Sequence, residues 1–398
     1  MSELARYYSR FRVSERVLLT GHSHQAWPDV AFAAQQQAWL DAADFVDDKW
    51  ERAAAVAEDV RHGWRRLLGE PHAEIALGQN THELVTRVLS AVLPCGAAVA
   101  RERTTLVTTD GEFHTIRRQI DRLEEAGVHI TRVRARPVAT LAERLAHATD
   151  DRVASVLVSS VLFETAEIVP HLDVIAAACL EHGAELLVDA YHHLNVVPFD
   201  VETLGLQRAF VTGGGYKYCQ LGEGNCFLRV PPDCALRPVF TGWFSEFDQL
   251  AVSDAHHLVR YGRGRDRFAG ATYDPTSHYR AAAVFRFHEE RGLSPVRLRE
   301  INARQTEFLA QSIRKLDLDE GVVQLLDVPA DSRGGFIAIR TPHAAAVVGR
   351  LRGRGVFADS RGEILRLGPA PYVSDGQLDV AVAELGDALR TSTRNPSD

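Results

Sequence analysis

Apolar positions along the chain fall into two rhythms. In the first 70 residues an N-terminal segment leads into helix: Trp39, Leu40, Ala43, Val46 and Trp50 recur at roughly helical spacing, and Ala54 to Leu68 continues in that style. From residue 73 short apolar runs alternate with amphipathic stretches. Ala154-Ser155-Val156-Leu157-Val158 reads as a buried strand, Asp173 to His182 as a helix stopped at Gly183, and Glu185 to Asp189 as the next strand. Strand, helix and strand make a βαβ unit, so the middle of the chain should hold a mostly parallel sheet. Arg208 to Thr212 is a further strand, leading into Gly213-Gly214-Gly215-Tyr216-Lys217, and Asn225 to Val230 another, stopped by Pro231-Pro232. Residues 245–275 are polar and rich in Gly and Arg, a junction. Beyond it, Gly335 to Ile339 is a strand, His343 to Leu351 a helix and Ile364 to Leu367 a strand. Ser374 then caps a last helix with Leu378, Val382, Leu385 and Leu389 on one face. That third of the chain should form a small α+β domain.

Composition narrows the classes. The 398 residues are 45% hydrophobic and 25% charged, ordinary for a globular protein with ample core in one large or two smaller domains. A net charge of −8 points away from nucleic acid. No apolar run approaches the roughly 18 residues of a membrane span, and the N-terminus lacks the basic-then-apolar order of a signal peptide. Five cysteines (95, 179, 219, 226 and 234) give an odd count without a CxxC pair. They argue against a disulfide framework or a zinc site and suit a reducing cytoplasm. His22, His24, His192 and His193 invite a metal, but no HExxH or CxxC motif supports one, and none is expected.

Of 45 basic residues only Lys49, Lys217 and Lys315 are lysines. Arg replaces Lys as a solvated charge but cannot serve as an amine nucleophile. Lys49 and Lys315 lie in charged helical surroundings where Arg would serve as well, whereas Lys217 follows a strand and a run of glycines. Ligands of open α/β sheets sit beyond the carboxyl ends of the strands, where both Asp189 and Lys217 fall. A lysine can form a Schiff base with an aldehyde cofactor, and an aspartate can hold a pyridinium nitrogen protonated. Those are the two groups a pyridoxal phosphate (PLP) enzyme needs most. Gly78-Gln79-Asn80-Thr81 opens a helix through Leu84 and Val88, a ready phosphate cradle. Phe113 or His114, after the run Leu106-Val107-Thr108, could stack on the ring. His192 could reach its phenolic oxygen and Tyr216 its phosphate. Gly213 to Gly215 read as letting backbone approach a bulky cofactor. Each residue also has a plainer reading: Asp189 as a turn former, Thr81 as an N-cap, Tyr216, Tyr218 and Trp243 as core or interface aromatics. Arg366 on an apolar strand is harder to dismiss, because a buried charge needs a partner and a substrate carboxylate is one.

The order Asn80-Thr81, Asp189-x-x-His192, Tyr216-Lys217-Tyr218, Gly242-Trp243 and Leu365-Arg366-Leu367-Gly368-Pro369-Ala370-Pro371-Tyr372 resembles the class V aminotransferase superfamily of fold-type I PLP enzymes, and most of all the kynureninases. The resemblance spans roughly residues 10 to 390 and implies an α/β fold, with a mixed, mostly parallel seven-stranded sheet in the large domain and a small C-terminal α+β domain. It implies residues 1–30 as a segment contributing to the active site and the small domain, 31–250 as the PLP-binding domain and 251–398 as the small domain. By the same resemblance Lys217 carries PLP and moves protons, and Asp189 pairs with the ring nitrogen. His192 lies near the ring oxygen, and Asn80, Thr81 and Tyr216 bind phosphate. Trp243 would reach the phosphate from the partner subunit of a homodimer whose active site lies at the interface. Arg366 would take the α-carboxylate of an amino-acid substrate.

The chain departs from kynureninases in places. Their Gly-Asn-Ser-Leu-Gly near the N-terminus is Gly21-His22-Ser23-His24-Gln25 here, which puts His22, Ser23 and His24 near the substrate side chain. Their Phe-Pro-Ser-Asp becomes Thr109-Asp110-Gly111-Glu112, leaving Phe113 or His114 to stack. Their Asp-x-Ala-His-Ala-x-Gly becomes Asp189-Ala190-Tyr191-His192-His193-Leu194-Asn195. The expected reaction is hydrolytic cleavage of an amino acid's β-side chain. Transamination, β-elimination by a C–S lyase of specialised metabolism, and a catalytically silent binding subunit are the alternatives. Persulfide chemistry in the C-terminal half is disfavoured, since no cysteine follows Cys234.

Overall fold

Alternating apolar residues in seven short runs build the central sheet, because side chains of one strand point to opposite faces. Leu106, Leu157, Leu187, Phe210 and Leu228 enter one core cluster, while their neighbours Val107, Val156, Val158, Val188 and Val211 enter another. A sheet buried on both faces must be covered on both. The computed structural model describes residues 2–93, 103–249 and 259–394; Cys95 lies outside them.

The strands, in chain order, are β1 (Val17–Leu18), β2 (Glu74–Gly78), β3 (Thr105–Thr109), β4 (His129–Val133), β5 (Val153–Ser159), β6 (Glu185–Asp189), β7 (Phe210–Gly214), β8 (Cys226–Val230), β9 (Gln324–Leu325), β10 (Ile337–Arg340), β11 (Val356–Phe357), β12 (Asp359–Arg361) and β13 (Ile364–Leu367). The helices are α1 (Val30–Phe45), α2 (Lys49–Leu67), α3 (Thr81–Val92), α4 (His114–Glu125), α5 (Leu141–His147), α6 (Leu172–His182), α7 (Thr276–Glu290), α8 (Pro295–Arg314), α9 (Ala344–Gly353) and α10 (Asp375–Arg394). The seven-stranded sheet has the order β2-β8-β7-β6-β5-β3-β4. Only β8 runs against its neighbours; the other pairings are parallel. This is the mixed, mostly parallel sheet the sequence implies. A four-stranded antiparallel sheet, β12-β13-β10-β9, carries the small C-terminal domain with α8, α9 and α10.

Two features differ from the sequence reading. The stripe Trp39, Leu40, Val46 is helical in spacing but faces outward, with Trp39 79% exposed. Val46, at φ 49°, breaks the helix into α1 and α2, and α1 packs on α7 through small residues such as Ala31 and Ala38 instead. The boundary at 250/251 also separates α7 from its core: Ala281, Ala282, Val284 and Phe285 pack with Trp64 of α2 against the large sheet. Only from Phe287 and Leu293 onward do side chains enter the small-domain core. That second core takes in Ala5, Tyr8, Val13 and Val17 from the N-terminal segment, whose β1 pairs in parallel with β11.

Arg229 on β8 is fully buried, and only full pairing makes this tolerable. Its fork meets Glu70 at 2.9 and 2.7 Å, and Nη1 donates to the carbonyls of Gln207 and Ala209. Glu70→Ala would leave the charge stranded, at a cost of about 3–5 kcal/mol. Urea denaturation should show this loss, and replacing both partners by Leu and Met should recover most of it. A midpoint unchanged in the single variant would show that the pair contributes nothing.

Candidate active site

Several chain segments end at one edge of the large sheet. The register pairs Ser159 at the end of β5 with Asp189 at the end of β6, and Asp189 with Thr212 on β7. Two residues past β7 the chain turns back through Tyr216 and Lys217, and Leu221 N closes this turn onto Gly215 O at 2.8 Å. The β2–α3 junction and the segment after β3 complete a cavity of about 200 Å³. Its wall includes Gln79, Asn80, Thr81, Phe113, Ser159, Phe163, Asp189, Tyr191, His192, Tyr216, Lys217 and Cys226.

The glycines before the lysine are required by neighbouring side chains. A Cβ on Gly214 would lie 2.4 Å from the Tyr191 hydroxyl and 2.5 Å from Cys226 Sγ; one on Gly215 would lie 2.6 Å from Leu221 Cβ. The close approach read from the sequence is real, but these side chains, not an open cavity, occupy the space.

The Lys217 amine is buried, 2.6 Å from His192 Nε2 and 4.6–5.6 Å from the ring centres of Tyr191, Phe113 and Tyr216. Burial lowers its pKa to about 7 against the pull of Asp189, which favours the charged form. Burial and the neighbouring Lys217 and Arg366 charges hold His192 well below an ordinary histidine, so it is neutral. Its Nδ1 is buried without a partner. Asp189 Oδ1 accepts from Tyr191 N at 2.9 Å; burial raises its pKa, and that bond and Lys217 oppose the rise.

Glu112, a residue to which the sequence reading gave no role, lies fully buried beneath the cavity. It accepts from Ser159 Oγ and Thr109 Oγ1, both at 2.6 Å, and burial lifts its pKa to about 7. Ser159 is likewise a wall residue that the sequence reading did not name. Its signal was available, since it ends the strand beside Asp189.

Other expected residues fall as follows. Asn80, rather than Thr81, is the N-cap of α3: its Oδ1 accepts from Glu83 N at 2.9 Å and Nδ2 donates to Glu83. Thr81 is the first helical residue, on the wall. Phe113 faces the cavity, while His114 bonds Arg117 at 2.9 Å outside it. Of the N-terminal trio, His24 stacks on Tyr216 with centroids 4.7 Å apart and Ser23 bonds His24 at 3.1 Å. His22 is not on the wall; it is fully buried against Phe336 and bonds Asp359 at 2.7 Å. Trp243 lies off the cavity, 44% exposed, beside Phe244 and Phe247. Arg366, for which a substrate carboxylate was the expected partner, is not on the cavity wall; it is nearly fully buried behind Phe163, and Asp359 of the protein already accepts from its Nε and Nη2 at 2.9 and 2.6 Å. No sequence motif flagged Asp359. Among the described residues, no group of three or more His, Cys, Asp or Glu side chains is arranged to hold a metal.

The set fits PLP: a buried amine, a carboxylate with one oxygen unused by the protein's hydrogen bonds, an unpartnered imidazole nitrogen, a helix N-terminus and aromatic walls. Residues 298–385 match the family model of the kynureninase C-terminal domain. The chain is 25% identical over 402 residues to kynureninase of Pseudomonas fluorescens, covering 98% of this chain and 93% of that one. It is 24% identical to the uncharacterized aminotransferase YcbU of Bacillus subtilis over 88% of each chain. A mutant of C-DES with glycine covalently linked to its PLP cofactor superposes with a TM-score of 0.82 at 17% identity, over 96% of this chain and 98% of that one. A cysteine desulfurase of Thermococcus onnurineus gives 0.81 at 15% identity, over 98% of each. The fold is that of fold-type I PLP enzymes, and in sequence the chain is kynureninase-like.

In cofactor-free protein, acylation of Lys217 followed by peptide mass spectrometry should rise with pH around about 7. Asp189→Asn should move the rise to lower pH, since it removes the charge that favours the ammonium. A rise in the ordinary lysine range would show that burial does not control this amine.

Proposed function

We propose that this kynureninase-like chain is a PLP-dependent enzyme that hydrolytically cleaves the β-side chain of an amino acid, L-kynurenine or a related substrate. The observation that carries this reading is the Lys217 amine, buried among aromatic rings with Asp189 and His192 on the same cavity wall. When bound, PLP supplies an electron sink for the pair released as a substrate bond breaks.

Lys217 Nζ is the residue that would hold the cofactor and move protons at the substrate carbon. A pKa of about 7 leaves much of it neutral at physiological pH, the form able to accept a proton. His192 Nε2, 2.6 Å away, stays neutral and accepts a hydrogen bond from the ammonium, and its ring would be the donor for the cofactor's phenolic oxygen. Asp189 would hold the ring nitrogen protonated, a positive charge that would offset the burial of its carboxylate. Backbone N–H groups at Asn80 and Thr81, the Thr81 hydroxyl and Tyr216 take the phosphate. Phe113 would stack on the ring, His24 and Ser23 would lie on the approach beside Tyr216, and Arg366 would take the substrate carboxylate.

Hydrolysis is preferred to its alternatives because similarity to a kynureninase runs the length of the chain. The buried thiols of Cys219 and Cys226 are pushed far up by desolvation, which suits neither as a sulfur acceptor. The proposed assembly is a homodimer. Exposed Trp39, Leu40, Val46, Trp243 and Phe247 offer it apolar surface, and Trp243 of one protomer would approach the other's phosphate site. Among the described residues no helix is long and apolar enough to cross a membrane. Unpaired Cys179, Cys219, Cys226 and Cys234 are the basis for a cytoplasmic setting.

The purified protein should show a visible cofactor band that borohydride bleaches onto Lys217, and Lys217→Ala should abolish that attachment. With L-kynurenine and 3-hydroxykynurenine it should release anthranilate or its hydroxy derivative. Lys217→Ala should slow release by about 10²–10⁴-fold, the range of a lost acid–base group. A band without release from either compound would overturn the hydrolase reading, and a keto-acid or ammonia product from another amino acid would replace it.

A further inference from the structure

Asp359 is placed by the sheet itself. It is the direct cross-strand partner of Arg366 in the β12–β13 register, so the two side chains emerge on one face and their pairing follows from the fold. Its Oδ2 accepts from Arg366 Nη2 at 2.6 Å, and its Oδ1 from both Arg366 Nε at 2.9 Å and His22 Nε2 at 2.7 Å. These partners hold Asp359 well below the usual carboxylate range, and burial lowers His22 to about 4. A neutral imidazole facing a carboxylate must donate, which assigns the proton to Nε2 and leaves the buried Nδ1 a lone pair without a partner. On its other side Arg366 Nη1 donates to the Phe163 carbonyl at 2.7 Å, and the Phe163 side chain is part of the cavity wall.

A guanidinium carries five N–H groups. Here Nε, Nη1 and Nη2 each spend one, leaving one on each terminal nitrogen. A carboxylate can span such a pair end-on with two parallel bonds. We propose that Asp359, backed by His22, is a positioning residue. It fills the side-on edge of Arg366 and so restricts the carboxylate of an amino-acid substrate to the end-on edge, in one orientation. The inference rests on the amino-acid enzyme reading above. Displacement of Asp359 by the substrate is the less favourable route. It would strip Asp359 of both Arg366 donors, and a carboxylate held by strand register competes at high effective concentration with a dissolved one.

L-Alanine and ethylamine separate a carboxylate effect from a general defect, since both carry the amine and only one the carboxylate. Each is titrated into PLP-loaded protein and followed by the cofactor's absorbance. Asp359→Asn should weaken L-alanine by about tenfold or more, the loss of one charge-assisted bond, and leave ethylamine within about twofold. His22→Leu, which keeps the ion pair but removes its support, should weaken L-alanine by about threefold and serves if the first variant does not fold. Unchanged or tighter L-alanine binding in the folded variants overturns the proposal, tighter binding marking Asp359 as a competitor. Equal losses for both amines also overturn it, as a packing defect. A wild-type protein with no visible band, or one that neither amine perturbs, instead overturns the cofactor reading on which it rests.

Discussion

Burying a lysine amine among aromatic rings is unfavourable unless a counter-charge or a covalent bond relieves it, and Lys217 is placed so that both kinds of relief are within reach. Much of the large domain follows from that constraint. Parallel strands bring Ser159, Asp189 and the Lys217 turn to one edge. Gly214 and Gly215 let the backbone leading to the lysine lie tight against Tyr191, Cys226 and Leu221. Glu112 and Ser159 form a second buried polar layer under the same edge.

Much of this was legible in the chain. Short continuous apolar runs located the middle strands because both faces of the sheet are buried, and Asp189 and Lys217 could be paired because a parallel sheet sends strand ends to one side. The stripe Trp39, Leu40, Val46 gave a helix but no direction, since periodicity does not say which face meets the core, and these side chains face outward. Small Ala31 and Ala38, nearly silent in a hydrophobicity pattern, are what allow α1 to approach α7. The position of α7 was hidden for a related reason: its core residues lie beyond a polar junction that reads as a domain boundary.

Arg366 shows the limit more sharply. The sequence could say that a charge on an apolar strand needs a partner, but not which one. Asp359 becomes its neighbour only through the hairpin register, and His22 through a turn more than 300 residues away, packed on Gly368. Long-range pairs of this kind leave no local signature. His22 was flagged for a place in a motif, yet it acts behind the site rather than on its wall.

The N-terminal segment has one more consequence, for the order in which the molecule is completed. β1 and the residues before it pair with β11 and fill the small-domain core, while Gln25 N bonds Tyr216 O beside the lysine. On a ribosome these residues wait for β11 to be made before they find their partners. The large sheet and the cavity wall, which runs from Gln79 to Cys226, can assemble before that pairing forms. The N-terminal segment is thereby a late joint, threading the small-domain core after the chamber around the amine already has its walls.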